Sequence, residues 1–412
     1  MKLVQINTVC NTSIGHIMAG IQRAADKNGI YTMSIYGRRC GYSDLRCLKI
    51  GNGMSFWLHV VLTTVTDLHG LGSAIVTSRI IRFLKREQPD IIQLHNIHGY
   101  YINYPMLFDY LKNEYKGRVY WMLHDCWAYT GHCAYYTAAG CDRWKTLCHD
   151  CPEKREYPIS LLLDSSSCNY RRKQKYFTGL KNMTIIVPSH WLESQVKESF
   201  LKDYPVEVVN NGIDLSIYRP QRDPGIRARY GIPQNKKIIL GVAMYWTKRK
   251  GLSDFKRLSH RLLEQGNNEY VIVLVGLSSK QRANLPGNVI GIRRTENVRD
   301  IVALYTESHI MVNPSVEETF SMVTVEAMAC GTPVIALDTS AVCELVSNDT
   351  GIVLHKDRSQ EVDPYKYIEA IHSIEQKMDD GIISEQSLVR HASKYSSARQ
   401  TDHILSLYKQ HG

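Results

Sequence analysis

Short apolar runs alternate with longer amphipathic stretches along the whole chain, and that alternation restricts it to a parallel α/β architecture. The runs fall near Lys2 to Thr8, Tyr31 to Tyr36, Asp90 to Asn96, Val119 to His124, Met183 to Pro188 and Val206 to Val209. A second set lies near Lys237 to Ala243, Tyr270 to Gly276, Val289 to Arg293, His309 to Asn313 and Val334 to Ala336. With 412 residues, 44% apolar and 22% charged, the chain exceeds what one ordinary core uses. The polar, proline-containing stretch Arg219 to Gly225 separates the two sets. The expected organisation is a first domain over residues 1–218, a linker over 219–235, a second domain over 236–394 and a C-terminal helix over 395–412 packing back on the first domain.

No run reaches the roughly 18 uncharged apolar residues of a spanning helix. The most apolar, Met54 to Thr66, contains His59 and predicts a buried helix. The chain opens on Met1-Lys2-Leu3-Val4, a strand with no leader before it, so a cytoplasmic protein is expected, in solution or at the inner face of a membrane. Residues 1–218 hold 25 Lys and Arg against 18 Asp and Glu, which is +7 of the net +10. Such a surface attracts anionic lipid headgroups, lipid-linked diphosphates or nucleic acid. Its densest cluster, Arg171 to Phe177, reads as a solvated helix face.

The segment Asn313 to Ala336 carries the most chemistry. His309 to Val312 end a strand, Thr319 or Ser321 caps a helix, and Gly331 with Pro333 stops that helix before a new strand. Glu318 therefore lies in the loop at a strand's C-terminal end, and Glu326 projects from the second helical turn. Between them the amides of Phe320, Ser321, Met322 and Val323 form a positive helix end suited to a phosphate. A carboxylate on each side of an anion site suits a diphosphate with hydroxyls at both ends, as in a nucleotide sugar.

Taken with its Pro-Ser, Glu-Ala-Met-Ala and Gly-Thr-Pro-Val surroundings, this segment resembles the signature of the retaining glycosyltransferases of family 4. The resemblance implies the GT-B fold, two facing Rossmann-like domains with parallel sheets and a cleft between them. It also implies that Glu318 faces the transferred sugar, that Glu326 holds the ribose hydroxyls, and that the amides meet the phosphates. Ser321 departs from the family, which usually has glycine there. Other landmarks follow in order: the loop Asn11 to Ile17 with Gly15, close to the donor phosphates in the family; Pro188-Ser189-His190, where Ser189 reads as an N-cap; and Asn210-Asn211-Gly212.

Lys250, in the family's Lys-Gly pair with Gly251, is the candidate to hold the leaving diphosphate. Its usual arginine partner, near Met244, is missing. Arg249 or Lys248 is the candidate replacement, against a reading of both as exposed loop charges. His124 stands where the family has an active-site histidine that touches the donor sugar, and is assigned to positioning and electrostatics. Asp125 orients that ring or caps the next helix, while His95 and His98 line the acceptor side.

Cysteine usage adds a separate message. Of 11 cysteines, Cys133, Cys141, Cys148 and Cys151 have the spacing of a tetrahedral thiolate zinc site within the Cys-rich loop 126–151, favoured over free thiols or two disulfides. Some family members carry a similar insertion. Such a site is structural, and catalysis is expected to need no metal. Cys10, Cys40, Cys47, Cys168, Cys330 and Cys343 read as ordinary small residues.

The expected activity is retaining transfer of a hexose from a nucleoside-diphosphate sugar to a saccharide or lipid-linked saccharide, in cell-surface polysaccharide synthesis. Contact with an anionic membrane is expected, nucleic acid is not. Two readings stand beside it: a sugar-nucleotide epimerase or phosphorylase on a GT-B fold, and a non-catalytic, zinc-stabilised binding module.

Overall fold

The computed structural model describes every residue except Thr12, Arg358, Ser359, His411 and Gly412. The chain divides into two compact units, one of residues 1–210 with 400–412 and the other of residues 211–399. Among the described residues, unit 1 holds seven parallel strands: β1 (Lys2–Asn7), β2 (Tyr31–Tyr36), β3 (Cys47–Lys49), β4 (Ile91–Leu94), β5 (Arg118–Met122), β6 (Met183–Val187) and β7 (Val206–Val208). The described residues of unit 2 hold six: β8 (Lys237–Val242), β9 (Tyr270–Val275), β10 (Val289–Ile292), β11 (Ile310–Asn313), β12 (Val334–Leu337) and β13 (Gly351–Leu354).

The sheet orders are β3-β2-β1-β4-β5-β6-β7 and β10-β9-β8-β11-β12-β13. In each, the first strand of the unit is flanked by its second and fourth, so the winding direction reverses there. Open α/β sheets bind ligands outside the carboxyl ends of the strands at such a switch point. The loops after β1 and β4, and after β8 and β11, are therefore the places to look. Helices on both faces bury the sheets, which is why β4 and β9 are apolar at nearly every position rather than alternating.

The unit boundary falls at Asn210, not at the expected 218. Ile213 pairs through its backbone with Tyr395 and Ser397, and Leu215 and Tyr218 pack on the unit 2 core. From Gln400 onward the last helix, Ser397–Lys409, belongs to unit 1, where Ile404, Leu405 and Tyr408 are buried and Tyr120 Oη donates to the Leu407 carbonyl at 2.8 Å.

Two other expectations are corrected. The helix Gly53–Thr66 forms, but it is not buried: Met54 is 74% exposed, and Trp57, Leu58 and Val61 all face out, leaving His59 and Thr63 on the inner face. The basic cluster lies on the helix Ser166–Phe177, yet Lys173 is buried with its ammonium over the Trp127 ring, donating to the Trp127 and Thr130 carbonyls at 2.6 and 3.0 Å. Burial pushes Lys173 down to about 7.

Candidate active site

In unit 2 the loops after β8 and β11 touch at the switch point, where the Val316 amide donates to the Arg249 carbonyl at 2.9 Å. Gly251 has a φ of 74°, and a Cβ there would lie 2.6 Å from the Pro314 carbonyl oxygen, so this approach demands glycine after Lys250. Lys250 Nζ is thereby brought to donate to Glu318 Oε1. Arg249 Nη1 donates to the Glu317 carbonyl and lies 3.6 Å from Glu318 Oε2. Arg249 is thus engaged with the carboxylate, whereas Lys248 is exposed. Burial raises the Glu318 carboxyl, but Lys250 and Arg249 outweigh it and hold the group below the usual carboxylate range.

The helix after β11 runs over Met322–Ala329, so Met322 and Val323 supply first-turn amides. Phe320 precedes it and is buried against the Tyr395 ring at 5.7 Å. Ser321 occupies the N-cap position without a side-chain capping bond, and its φ is 109°, a value that favours glycine. Its hydroxyl is instead engaged inside the unit, accepting from Asn313 Nδ2 at 2.9 Å and standing 3.0 Å from Thr324 Oγ1. That buried network holds a serine in a glycine conformation.

Glu326 accepts from Tyr305 Oη at 3.0 Å and is hydrogen-bonded by Tyr218 as well. Burial pushes its carboxyl up to about 7. It stands on the wall of a cavity of ≈ 950 Å³ lined also by Tyr218, Tyr245, Ser278, Arg293 and Arg294. That size is within the range of small-molecule sites. Sequence reasoning missed these lining residues. The signal for Arg293 and Arg294 was their place just past the end of β10, at the carboxyl edge of the sheet.

In unit 1, His95 follows β4 and His124 follows β5, and their rings stack with centroids 5.4 Å apart and Nδ1 of His95 3.1 Å from Nε2 of His124. Gln5 gives its amide nitrogen to the Met18 carbonyl, so its oxygen faces His95 Nε2 at 3.2 Å. His95 Nε2 also lies 3.4 Å from the Gln93 amide nitrogen, so both ring nitrogens of His95 are engaged inside the unit. Burial pushes His124 down to about 4 and His95 well down, so both rings are neutral near pH 7. Asp125 meets His98 and the next turn: its Oδ2 lies 2.9 Å from His98 Nε2, and its Oδ1 accepts the Trp127 amide at 3.0 Å. Burial raises the Asp125 carboxyl, and His98 outweighs it and leaves the group lowered. Gly15 is buried in the helix Ser13–Lys27.

Cys133 and Cys148 are buried, and Cys141 and Cys151 half-buried. A hydrogen bond from the Cys133 thiol holds Cys151 below the ordinary thiol range. Cys148 accepts the Gly131 amide at 3.1 Å and is electrostatically influenced by Cys141 and Cys151. Among the described residues, the thiols that come together as a group of three within 4.8 Å are Cys10, Cys40 and Cys47, not those of this loop.

The two parallel-sheet units define a GT-B fold. Residues 236–374 match the family described as glycosyl transferases group 1. The colanic acid biosynthesis glycosyl transferase WcaC of Escherichia coli K12 is 23% identical over 64% of this chain. The match spans 63% of that relative's length. Among solved structures, sucrose-phosphate synthase from Thermosynechococcus elongatus covers 100% of this chain and 98% of its own at a TM-score of 0.70 and 14% identity. Anabaena HepE in complex with UDP-glucose covers 100% of both chains at a TM-score of 0.65 and 14% identity. Together these likenesses support a family 4 glycosyltransferase.

Proposed function

We propose that this protein moves a hexose from a nucleoside-diphosphate sugar to an acceptor hydroxyl with retention of anomeric configuration and without a catalytic metal. The observation that carries this reading is the cluster of Lys250 and Arg249 on Glu318, on the same strand–loop–helix segment as the first-turn amides of Met322–Ala329 and as Glu326. As the bond to the sugar breaks, negative charge grows on the departing diphosphate. Lys250, Arg249 and those amides meet that charge, and the diphosphate takes the acceptor proton on the same face. Glu326 holds the ribose hydroxyls within the cavity. Glu318 contacts the sugar, and within unit 1 the neutral His124 and His95 form a polar, uncharged pair. No carboxylate is assigned as nucleophile.

UDP-sugars are the first donors to test, because HepE is bound to UDP-glucose. A saccharide or lipid-linked saccharide acceptor in cell-surface polysaccharide synthesis is supported by the likeness to WcaC. Peripheral contact with an anionic membrane is supported by the outward Met54, Trp57, Leu58 and Val61, with Arg38 over the adjoining Phe56 ring. Among the described residues, no helix is long and apolar enough to cross a membrane. The loop thiols Cys133, Cys141, Cys148 and Cys151 would hold zinc as a structural clip. The test is to supply UDP-sugars with candidate acceptors, follow release of nucleoside diphosphate, and read the anomeric configuration of the product by NMR. Release with an α-linked product from an α-linked donor is expected. Isomerised sugar nucleotide with no diphosphate released points to an epimerase instead.

A further inference from the structure

Three thiols with no place in the site above converge at one end of the first sheet. Cys10 lies between β1 and the helix Ser13–Lys27, Cys40 lies beyond β2, and Cys47 opens β3. The Cys10 amide donates to the Arg39 carbonyl at 2.7 Å, and Cys10 and Cys40 form a parallel bridge, which brings the two loops side by side. β3 pairs with β2 from Cys47 onward and adds the third sulfur. The three Sγ atoms all lie within 4.8 Å of one another, and Met18 Sδ is 3.8 Å from Cys10 Sγ. Cys10 is buried and the other two are half-buried, so the group is closed behind and reachable in front. The expectation that these are ordinary small core or surface residues did not anticipate that meeting, because the spacings of 30 and 7 residues match no metal-binding signature.

Clustered thiols serve either redox chemistry or a soft cation. A redox-active cysteine is found beside a cation or a helix N-terminus that favours the thiolate. Here three thiol sulfurs lie within 4.8 Å of one another with a thioether sulfur 3.8 Å from one of them, an all-sulfur set of the kind that soft cations select.

We propose that Cys10, Cys40 and Cys47 form a binding site for a thiophilic d10 cation, Zn²⁺ or Cu⁺. Each thiol releases its proton to solvent as its sulfur–metal bond forms. Cu⁺ is satisfied by three sulfurs, whereas Zn²⁺ takes a fourth ligand such as water. The ion ties the loop after β1 to β2 and β3. That loop also sets the start of the following helix, because a Cβ on Gly15 would lie 2.4 Å from the Cys10 carbonyl carbon. The bound ion thus pins one of the switch-point loops.

The test uses the full chain, stripped of metal under reductant and titrated separately with Co²⁺, Zn²⁺ and Cu⁺. The double variant Cys133→Ser/Cys151→Ser separates the two thiol groups. It is expected to bind one equivalent, with a thiolate-to-cobalt charge-transfer band or a Cu⁺ luminescence signal, and adding Cys40→Ser/Cys47→Ser is expected to abolish it. The Zn²⁺ and Cu⁺ arms identify the ion. Should that variant not fold, mass-spectrometric mapping of alkylation in wild-type protein gives the answer, with Cys40 and Cys47 protected by metal. No uptake by the Cys133→Ser/Cys151→Ser variant, uptake unchanged by Cys40→Ser/Cys47→Ser, or a disulfide among the three under reductant would each overturn the proposal.

Discussion

Lys250 and Glu318 form a single ion-paired unit, joined through Nζ and Oε1 and flanked by Arg249. Neither residue acts alone, so replacing one changes the charge state and the setting of the other. Both side chains are mostly buried, at 20% and 13% exposed, which makes the pair more than a surface contact.

Lys250→Ala is expected to lower the transfer rate steeply and to destabilise unit 2 by about 1–3 kcal/mol, because the Glu318 carboxylate loses its main partner. Since the carboxyl is held low in the folded protein, its pairing stabilises above the unfolded value of about 4.5 and that contribution disappears as pH falls through the folded value. Urea denaturation between pH 3 and 6 checks this: the wild type should lose more stability on acidification than Lys250→Ala. Full turnover by Lys250→Ala at saturating donor would place the phosphate clamp elsewhere.

Glu326 has the opposite linkage. Its carboxyl is raised to about 7, so the folded state holds a proton that the unfolded state releases above about 4.5. Its contribution to stability therefore declines as pH rises from about 4.5 to 7 and levels off above. Glu326→Gln should remove that slope, measured by denaturation across the same window. If the ionised form accepts the ribose hydroxyls, donor affinity in the wild type should rise from pH 6 to 8.

Much of this site was legible from local sequence. Glu318, Glu326 and Lys250 sit on strand–loop–helix segments whose ends are marked by Pro314, Gly331 and Gly251, and Ser189 is the N-cap it was read as, accepting the Leu192 amide at 3.2 Å. What local sequence could not carry was pairing across the chain. The Tyr218 and Tyr305 hydroxyls on Glu326, the contact of Asp125 with His98, and the meeting of Cys10, Cys40 and Cys47 all depend on tertiary approach. The short strands β3 and β13 were missed because three and four residues are too few to show a period, and both are only partly buried. The helix Gly53–Thr66 was misread because apolar composition indicates burial only when another element exists to cover it.

That outward helix makes a direct prediction. Trp57→Ser with Leu58→Ser should leave the melting temperature nearly unchanged, since both side chains are 65% exposed, yet reduce flotation with vesicles rich in phosphatidylglycerol. Equal flotation of the variant and the wild type would remove this face from any membrane contact.

The Cys133 loop is checked by elemental analysis of the purified protein. Zinc bound there should fall when Cys133 or Cys151 is replaced by Ser, with a lower melting temperature, because the metal's binding energy is part of the loop's folding energy. A disulfide between any of the four thiols in a reducing preparation contradicts that assignment.

The claim that unit 2 holds a nucleotide sugar against Glu326 is tested most directly by calorimetric titration of wild type and Glu326→Ala with UDP, ADP, GDP and dTDP. One of these should bind the wild type, and its affinity should drop about tenfold to hundredfold in the variant, the cost of one charged hydrogen bond. Binding of none of the four to the wild type, or equal affinity for both proteins, would contradict the account.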